Sequence, residues 1–317
     1  MGSGLQHGRP ATADSDGQGF GQIRQALPGT QRLNTNIASA PRTPPSHAAS
    51  PALLRGWRRL RVGLHLARGV LTVALVYPLS GDATRLRLRQ RWSRQLLNIL
   101  GMALQPGGCE IAPGSMLVAN HVSWIDIFVI NALAPSAFIS KHEVRAWPVI
   151  GWLAAQSETV FLRRGSRGHA KIVNAEIASL LGAGRNVAVF PEGTTTDGSH
   201  VLHFHAALLQ PAIEAGQPLQ TLALSYHLED GSPSRAPAYD GDLSLGECLD
   251  NILAHRRLVA RIIVDMPLAT TPDSSRRELA HQTREMIAAR IGAGTQHAPD
   301  GQKTAIGPAS SMQPETA

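Results

Sequence analysis

Two short clusters in this chain of 317 residues combine side chains that could move a proton. The first is Asn120-His121-Val122-Ser123-Trp124-Ile125-Asp126, a His-x4-Asp arrangement. It follows the apolar run Met116–Ala119, which predicts a strand, and it opens Ile125–Leu133, which predicts a helix. An imidazole in such a strand-to-helix loop lies at the carboxyl end of a strand, where open α/β sheets place ligands. Asp126, in the first helical turn, can reach back to the ring. A carboxylate that holds an imidazole keeps one tautomer and stabilises the imidazolium, so the ring becomes a better base toward a hydroxyl. Ser123 and Asp126 also have the spacing of a helix-start box. The alternative reading is therefore a capped helix beside an ordinary loop histidine.

The second cluster is Phe190-Pro191-Glu192-Gly193-Thr194, directly after the apolar run Val187–Phe190. Pro191 fixes the chain's exit from the strand, and Gly193 permits a close backbone approach. Glu192 places a carboxylate in that tight loop. A plain turn accounts for the proline and the glycine but not for the whole word. A third group, His200, His203 and His205, could hold a metal, but no acidic or cysteine ligand completes it. A helix-entry or surface role is the favoured reading, and no metal site is expected.

These loops need a frame. Strands are predicted at Met116–Ala119, Thr159–Leu162, Val187–Phe190, Thr221–Tyr226 and Arg261–Met266. Helices are predicted at Ile125–Leu133, His169–Leu181, Phe204–Ala215 and Ser275–Ile291, with Gly182–Gly184 as a helix stop. Strand and helix in alternation indicate an α/β fold, a mixed and mostly parallel sheet flanked by helices. The composition allows it: 43% hydrophobic residues suffice for a core, and two cysteines rule out a disulfide scaffold. Cys109 and Cys248 lack a CxxC partner, which suits a reducing compartment.

The formal charge of +7 points to an anionic partner. Nine arginines (55, 58, 59, 61, 85, 87, 89, 91 and 94) flank the apolar run Val62–Leu79, with Trp57 and Trp92 beside them. Nucleic-acid grooves interleave cations with stacking platforms. Arginine beside a greasy run reads instead as a contact with anionic phospholipid, and no nucleic acid is expected. Basic flanks on both sides favour a segment lying in the interface or re-entering it over a single span or a buried core helix. The expected organisation is a disordered tail at 1–51, a membrane-associated helical segment at 52–100, the α/β domain at 101–291, and a second disordered tail at 292–317.

The order and spacing of the two clusters resemble the glycerolipid acyltransferase superfamily, over roughly Arg58 to Leu268. Two further blocks match it: Val160-Phe161-Leu162-Arg163-Arg164, and Lys141, Glu143, Pro148 and Gly151. A proline-led strand, Pro218 with Leu219–Ser225, resembles the fourth. The resemblance implies His121 as the base, oriented by Asp126. It implies Arg164 and Lys141 as anion-binding cations, and Glu192, Gly193 and Thr194 as parts of the acceptor site. It also implies transfer of an acyl group from a thioester, carried by coenzyme A or acyl-carrier protein, to 1-acylglycerol-3-phosphate, giving phosphatidic acid. The setting would be the cytoplasmic face of a bacterial inner membrane, with no cofactor. One position departs from the pattern. Members acting on lysophosphatidic acid carry arginine after Phe-Pro-Glu-Gly-Thr, where this chain has Thr195. That form resembles a branch making ornithine lipids, so acylation of lyso-ornithine lipid or another lysolipid is the alternative. No Gly-x-Ser-x-Gly elbow supports an esterase. A non-catalytic lipid-binding module would leave His121, Asp126 and Glu192 without a common purpose.

Overall fold

The computed structural model describes residues 49–163, 167–292 and 294–295. The chain opens with helix α1 (Ala52–Leu71), extended by a π-helical stretch at Thr72–Val76 and a 3-10 turn at Tyr77–Leu79. Helix α2 (Asp82–Leu100) returns along it. Then come β1 (Met102–Gly108), β2 (Met116–Ala119), α3 (Asp126–Leu133), β3 (Ala137–Lys141), a 3-10 helix (His142–Ala146), α4 (Ile150–Gln156) and β4 (Val160–Leu162). The second half holds α5 (Arg167–Gly182), β5 (Val187–Val189), β6 (His200–Val201), α6 (Gln210–Ala215), β7 (Leu219–His227), α7 (Leu245–Ala254), β8 (Leu258–Val264), α8 (Arg276–Ile291) and β9 (Gly294–Thr295).

Seven strands form one sheet in the order β1-β8-β7-β2-β5-β3-β4, parallel at every junction except β7–β8. Both faces are covered. Leu117 and Ala119 point toward α2, α3 and α7, while Met116 and Val118 point toward α5, α6 and α8. That alternation is the two-residue period of a strand, with both faces apolar because both are buried. The parallel block β7-β2-β5-β3-β4 brings its carboxyl ends to one edge of the sheet. Along that edge lie the His121 loop, the Glu192 loop, Lys141 and Arg163. The mostly parallel α/β expectation holds.

Several details differ from the sequence reading. β1 is not among the predicted strands; it includes Pro106-Gly107-Gly108, which an edge strand tolerates because one side of its ladder is unused. The helix expected over Phe204–Ala215 is a 3-10 turn at Ala206–Leu209 followed by α6. Pro211 has no N–H to give, so it is accepted only in α6's first turn. The tails expected at 1–51 and 292–317 lie mostly outside the described residues. Gly294 and Thr295, assigned to the second tail, pair with His200 and Val201.

The segment 52–100 is bound to the domain more closely than expected. α2 contributes Leu96, Leu97 and Leu100 to the core. Its Gln90, Arg94 and Arg89 donate to the carbonyls of Leu133 (2.7 Å), Ala132 (2.7 Å) and Ser136 (3.0 Å), at and just past the end of α3. Helix ends leave such carbonyls without partners, and cations satisfy them well. Arg85 likewise serves the Tyr77 carbonyl, Arg58 those of His255 and Arg256, and Arg59 pairs with Asp250. The nine-arginine cluster is therefore not one lipid-facing patch; most of it is structural. Trp92 is not a headgroup residue either. Its ring stacks on His65 at 4.4 Å, and its indole N–H donates to the His65 carbonyl. Gly69 sits against the same ring, where a Cβ would lie 2.7 Å from Nε1. The polar breaks in the apolar run thus form the seam with α2. The opposite stripe (Leu53, Trp57, Leu60, Leu64, Leu71, Leu75) is exposed. Ala52–Leu79 is long and apolar enough to cross a membrane.

Candidate active site

His121 and Asp126 meet. His121 Nδ1 lies 2.9 Å from Asp126 Oδ2. The same oxygen accepts the backbone N–H groups of Val122 (2.7 Å) and Ser123 (2.9 Å). The helix-start box is only half made. Asp126 reaches back as expected, but the Ser123 hydroxyl faces the N–H of Ile125 rather than that of Asp126. The carboxylate is fully buried, and the imidazole is 20% exposed. Nδ1 is engaged, and Nε2 bonds to none of the described residues. The ring stacks on Phe190, centroids 4.0 Å apart and planes 12° apart. A ring held on its face and at one nitrogen, with the other nitrogen open, is arranged to take a proton.

Two residues given no role by the sequence reading complete this geometry, Asn120 within the first cluster and Tyr226 outside both. Asn120 is buried at the end of β2, and its side-chain amide pairs with both backbone groups of Leu224 (2.8 and 3.0 Å). It extends the β2–β7 ladder by one side chain and fixes where the loop begins. Tyr226, on the β7 face shared with α3, donates its buried hydroxyl to Asp126 Oδ1. Burial, the Asp126 charge and the hydrogen bond push that phenol well above its ordinary range, so it remains a donor. The strand pattern shows that Tyr226 faces the core on the α3 side; only the fold reveals what it meets there.

Tyr226→Phe keeps the ring and removes the donor. We expect kcat to fall about tenfold, the scale of one hydrogen bond to a charged group. A fall in kcat with KM unchanged would assign Tyr226 to positioning the His–Asp pair rather than to binding. The other titratable groups facing the pair are Glu192 from the β5 loop and Cys248 from α7.

Glu192 lies beneath the His121 loop. Its two oxygens accept the N–H of His121 (2.7 Å) and the N–H of Leu202 (2.8 Å). The carboxylate, expected as part of the acceptor site, ties the His121 backbone to the segment after β6. Gly193 has φ +71, a conformation that glycine adopts without strain. Thr194 is exposed beside it. Thr196 N–H donates to the His121 carbonyl (2.9 Å). The Thr195 hydroxyl donates to the Tyr239 carbonyl, and Tyr239 N–H to that of Val122 (2.9 Å), so a third loop closes over the site.

Burial pushes the Glu192 carboxyl up to about 7, against the opposing pull of its two N–H donors. Its folded value exceeds the unfolded value of 4.5, so its contribution to stability is complete below about pH 4.5 and disappears as pH rises through about 7. Thermal melts of wild type and Glu192→Gln should therefore diverge across that window, with the wild type losing more as pH rises. Parallel melting curves would exclude this linkage.

Lys141 is exposed at the carboxyl end of β3 and forms no ion pair among the described residues. Arg164 lies outside the described residues; its neighbour Arg163 contacts His142 at 3.3 Å. Among the described residues the three motif histidines do not gather into one metal-ligand group. His200 lies 3.5 Å from Asp197, and the rings of His203 and His205 meet edge-on at 6.3 Å.

An α/β sheet with a carboxylate-held imidazole at the carboxyl ends of its strands has the geometry of a base that can act on a hydroxyl. Residues 108–225 match the family described as Acyltransferase. The chain is 40% identical over 242 residues to the lyso-ornithine lipid O-acyltransferase of Pseudomonas aeruginosa, covering 72% of this chain and 93% of that protein. It is 36% identical over 200 residues to the 1-acyl-sn-glycerol-3-phosphate acyltransferase of Neisseria meningitidis, covering 62% and 78% respectively. The crystal structure of the LPA acyltransferase PlsC from Thermotoga maritima superposes with a TM-score of 0.57 at 24% identity, covering 76% of this chain and 94% of that one. The chain belongs to the glycerolipid acyltransferase family.

Proposed function

We propose that this enzyme transfers a fatty acyl group from a thioester to the free hydroxyl of a lysolipid, and that its acceptor is lyso-ornithine lipid. The observation that supports the reaction is the His121–Asp126 contact with Nε2 open. His121 Nε2 takes the proton from the acceptor hydroxyl as its oxygen attacks the thioester carbonyl carbon. The tetrahedral adduct collapses, the C–S bond breaks, and the departing thiolate takes the proton back from the imidazolium. Alcohol and thioester become ester and thiol, with no acyl-enzyme; orientation of the two substrates supplies much of the rate. Coenzyme A or acyl-carrier protein carries the acyl group. Lys141 and Arg164 are the cations proposed for the acceptor's anionic group, and Gly193 and Thr194 border its headgroup.

The choice of acceptor rests on position 195 and on the relatives. Thr195 brings no cation where lysophosphatidic acid enzymes carry arginine, and Arg235, which approaches the same loop, is engaged by Asp197 at 2.5 Å. Lysophosphatidic acid is the second reading, favoured by the Neisseria relative. The exposed stripe of α1 would place the enzyme on the cytoplasmic face of the inner membrane, against anionic phospholipid, where both donors and lipid acceptors are available. Purified enzyme given lyso-ornithine lipid and lysophosphatidic acid in parallel tests the choice. A higher kcat/KM for lysophosphatidic acid would reverse it.

A further inference from the structure

The crossover from β3 to β4 displays an apolar surface that the core does not use. Trp147, Val149, Ile150 and Trp152 are 40–52% exposed, within six residues of one another. Exposed apolar clusters of this kind mark contact surfaces. The display is held in place. Gly151 is buried against backbone, where a Cβ would lie 2.3 Å from the Arg145 carbonyl oxygen, so no other residue closes this turn without displacing it. Val149 has φ +62, strained for a β-branched side chain. Around it stand three exposed cations, Lys141, Arg145 and Arg163, against one exposed acid, Glu143.

We propose that the Trp147–Trp152 turn is a second bilayer contact, which seats the carboxyl edge of the sheet on an anionic phospholipid surface. The proposal rests on the reading of this chain as a lipid acyltransferase. The chemistry favours lipid over a protein partner. Tryptophan prefers the headgroup layer, and a cationic rim matches phosphate. Position argues the same way. The turn leaves the sheet at Lys141, on the edge that carries His121 and Glu192, so it flanks the route a lipid acceptor must take. The start of α1 is fixed at that edge too. Arg58 holds the carbonyls of His255 and Arg256, just before β8, whose first residues lie beside the last of β7. One amphipathic helix leaves a domain free to swing; two separated contacts fix which way the site faces.

The test uses the full chain on vesicles of phosphatidylethanolamine and phosphatidylglycerol with brominated acyl chains. In the Trp147→Ser, Trp152→Ser double variant, bromolipid quenching of tryptophan fluorescence should fall. kcat/KM for a lysolipid embedded in the vesicles should drop about tenfold. Transfer to a short-chain acceptor, monomeric below its critical micelle concentration, should stay within about twofold. Ile150→Glu, which keeps every tryptophan, should reproduce the vesicle-specific loss with an unchanged melting temperature. The proposal is overturned by equal losses on both acceptors, by no loss on either, or by a dimer that dissociates in the variants. If wild type acylates no lysolipid in either form, the acyltransferase reading fails by itself, and the quenching still decides the patch.

Discussion

His121→Ala is expected to lower acyl transfer about a thousandfold or more while leaving membrane association intact. Removing a positioned general base costs about 100- to 10,000-fold, and no other described group beside His121 is placed to replace it. The nearest other titratable groups are Asp126, whose oxygens are occupied by His121, Val122, Ser123 and Tyr226, and Glu192, whose oxygens hold two backbone N–H groups. Neither presents an open basic atom. The His121 side chain is partly exposed and, among the described residues, bonds only to Asp126, so the fold should lose little. Steady-state assays with a lysolipid and a thioester, together with vesicle flotation, check both halves. A variant retaining a tenth of wild-type activity would remove His121 from the role of base.

Asp126→Asn should be nearly as damaging to the rate and more damaging to the fold. An amide in this position either turns its NH2 toward the N–H groups of Val122 and Ser123 or turns it toward Tyr226. In both arrangements the charge that favours the imidazolium is gone, which costs about 100- to 10,000-fold in kcat. The buried donors also lose their anionic acceptor, a penalty of about 1–3 kcal/mol for each left unsatisfied. The expected result is a collapse of kcat together with a melting temperature lower by several degrees, about 2–4 °C for each kcal/mol in a chain of this size. A normal melting curve with lost activity would mean that the loop finds another way to satisfy those N–H groups. A lowered melting temperature with full activity would mean that Asp126 only supports the loop.

The meeting of His121 and Asp126 was legible in the sequence because both belong to a short word placed at a strand end. A run such as Met116–Ala119 sets its own strand, and the residue that follows is delivered to the sheet edge whatever else the chain does. For that reason His121, Asp126 and Glu192 could be named before the fold was seen. What Glu192 does could not. Its partners, the N–H groups of His121 and Leu202, are backbone groups brought together by a long connection and carry no sequence signal. Tyr226 was hidden for a related reason: it sits 100 residues from Asp126, and on a buried strand a tyrosine that holds a carboxylate looks like one that fills the core. The arginines of α2 misled in the opposite direction. Charge beside an apolar run reads as a lipid contact, yet Arg89 is buried and Arg94 is turned onto the carbonyls around the end of α3. Local composition cannot display that demand, because it belongs to another helix.

The most direct measurement incubates purified enzyme with an acyl thioester, with and without lysolipid, and follows thiol release, acylated lipid and intact protein mass together. Thiol and acylated lysolipid should appear in equal amounts, only when the acceptor is present, with no acyl group added to the protein and no product from His121→Ala. Thiol release without acceptor accompanied by an acylated protein, or product formation undiminished in His121→Ala, would contradict direct transfer by a carboxylate-held imidazole.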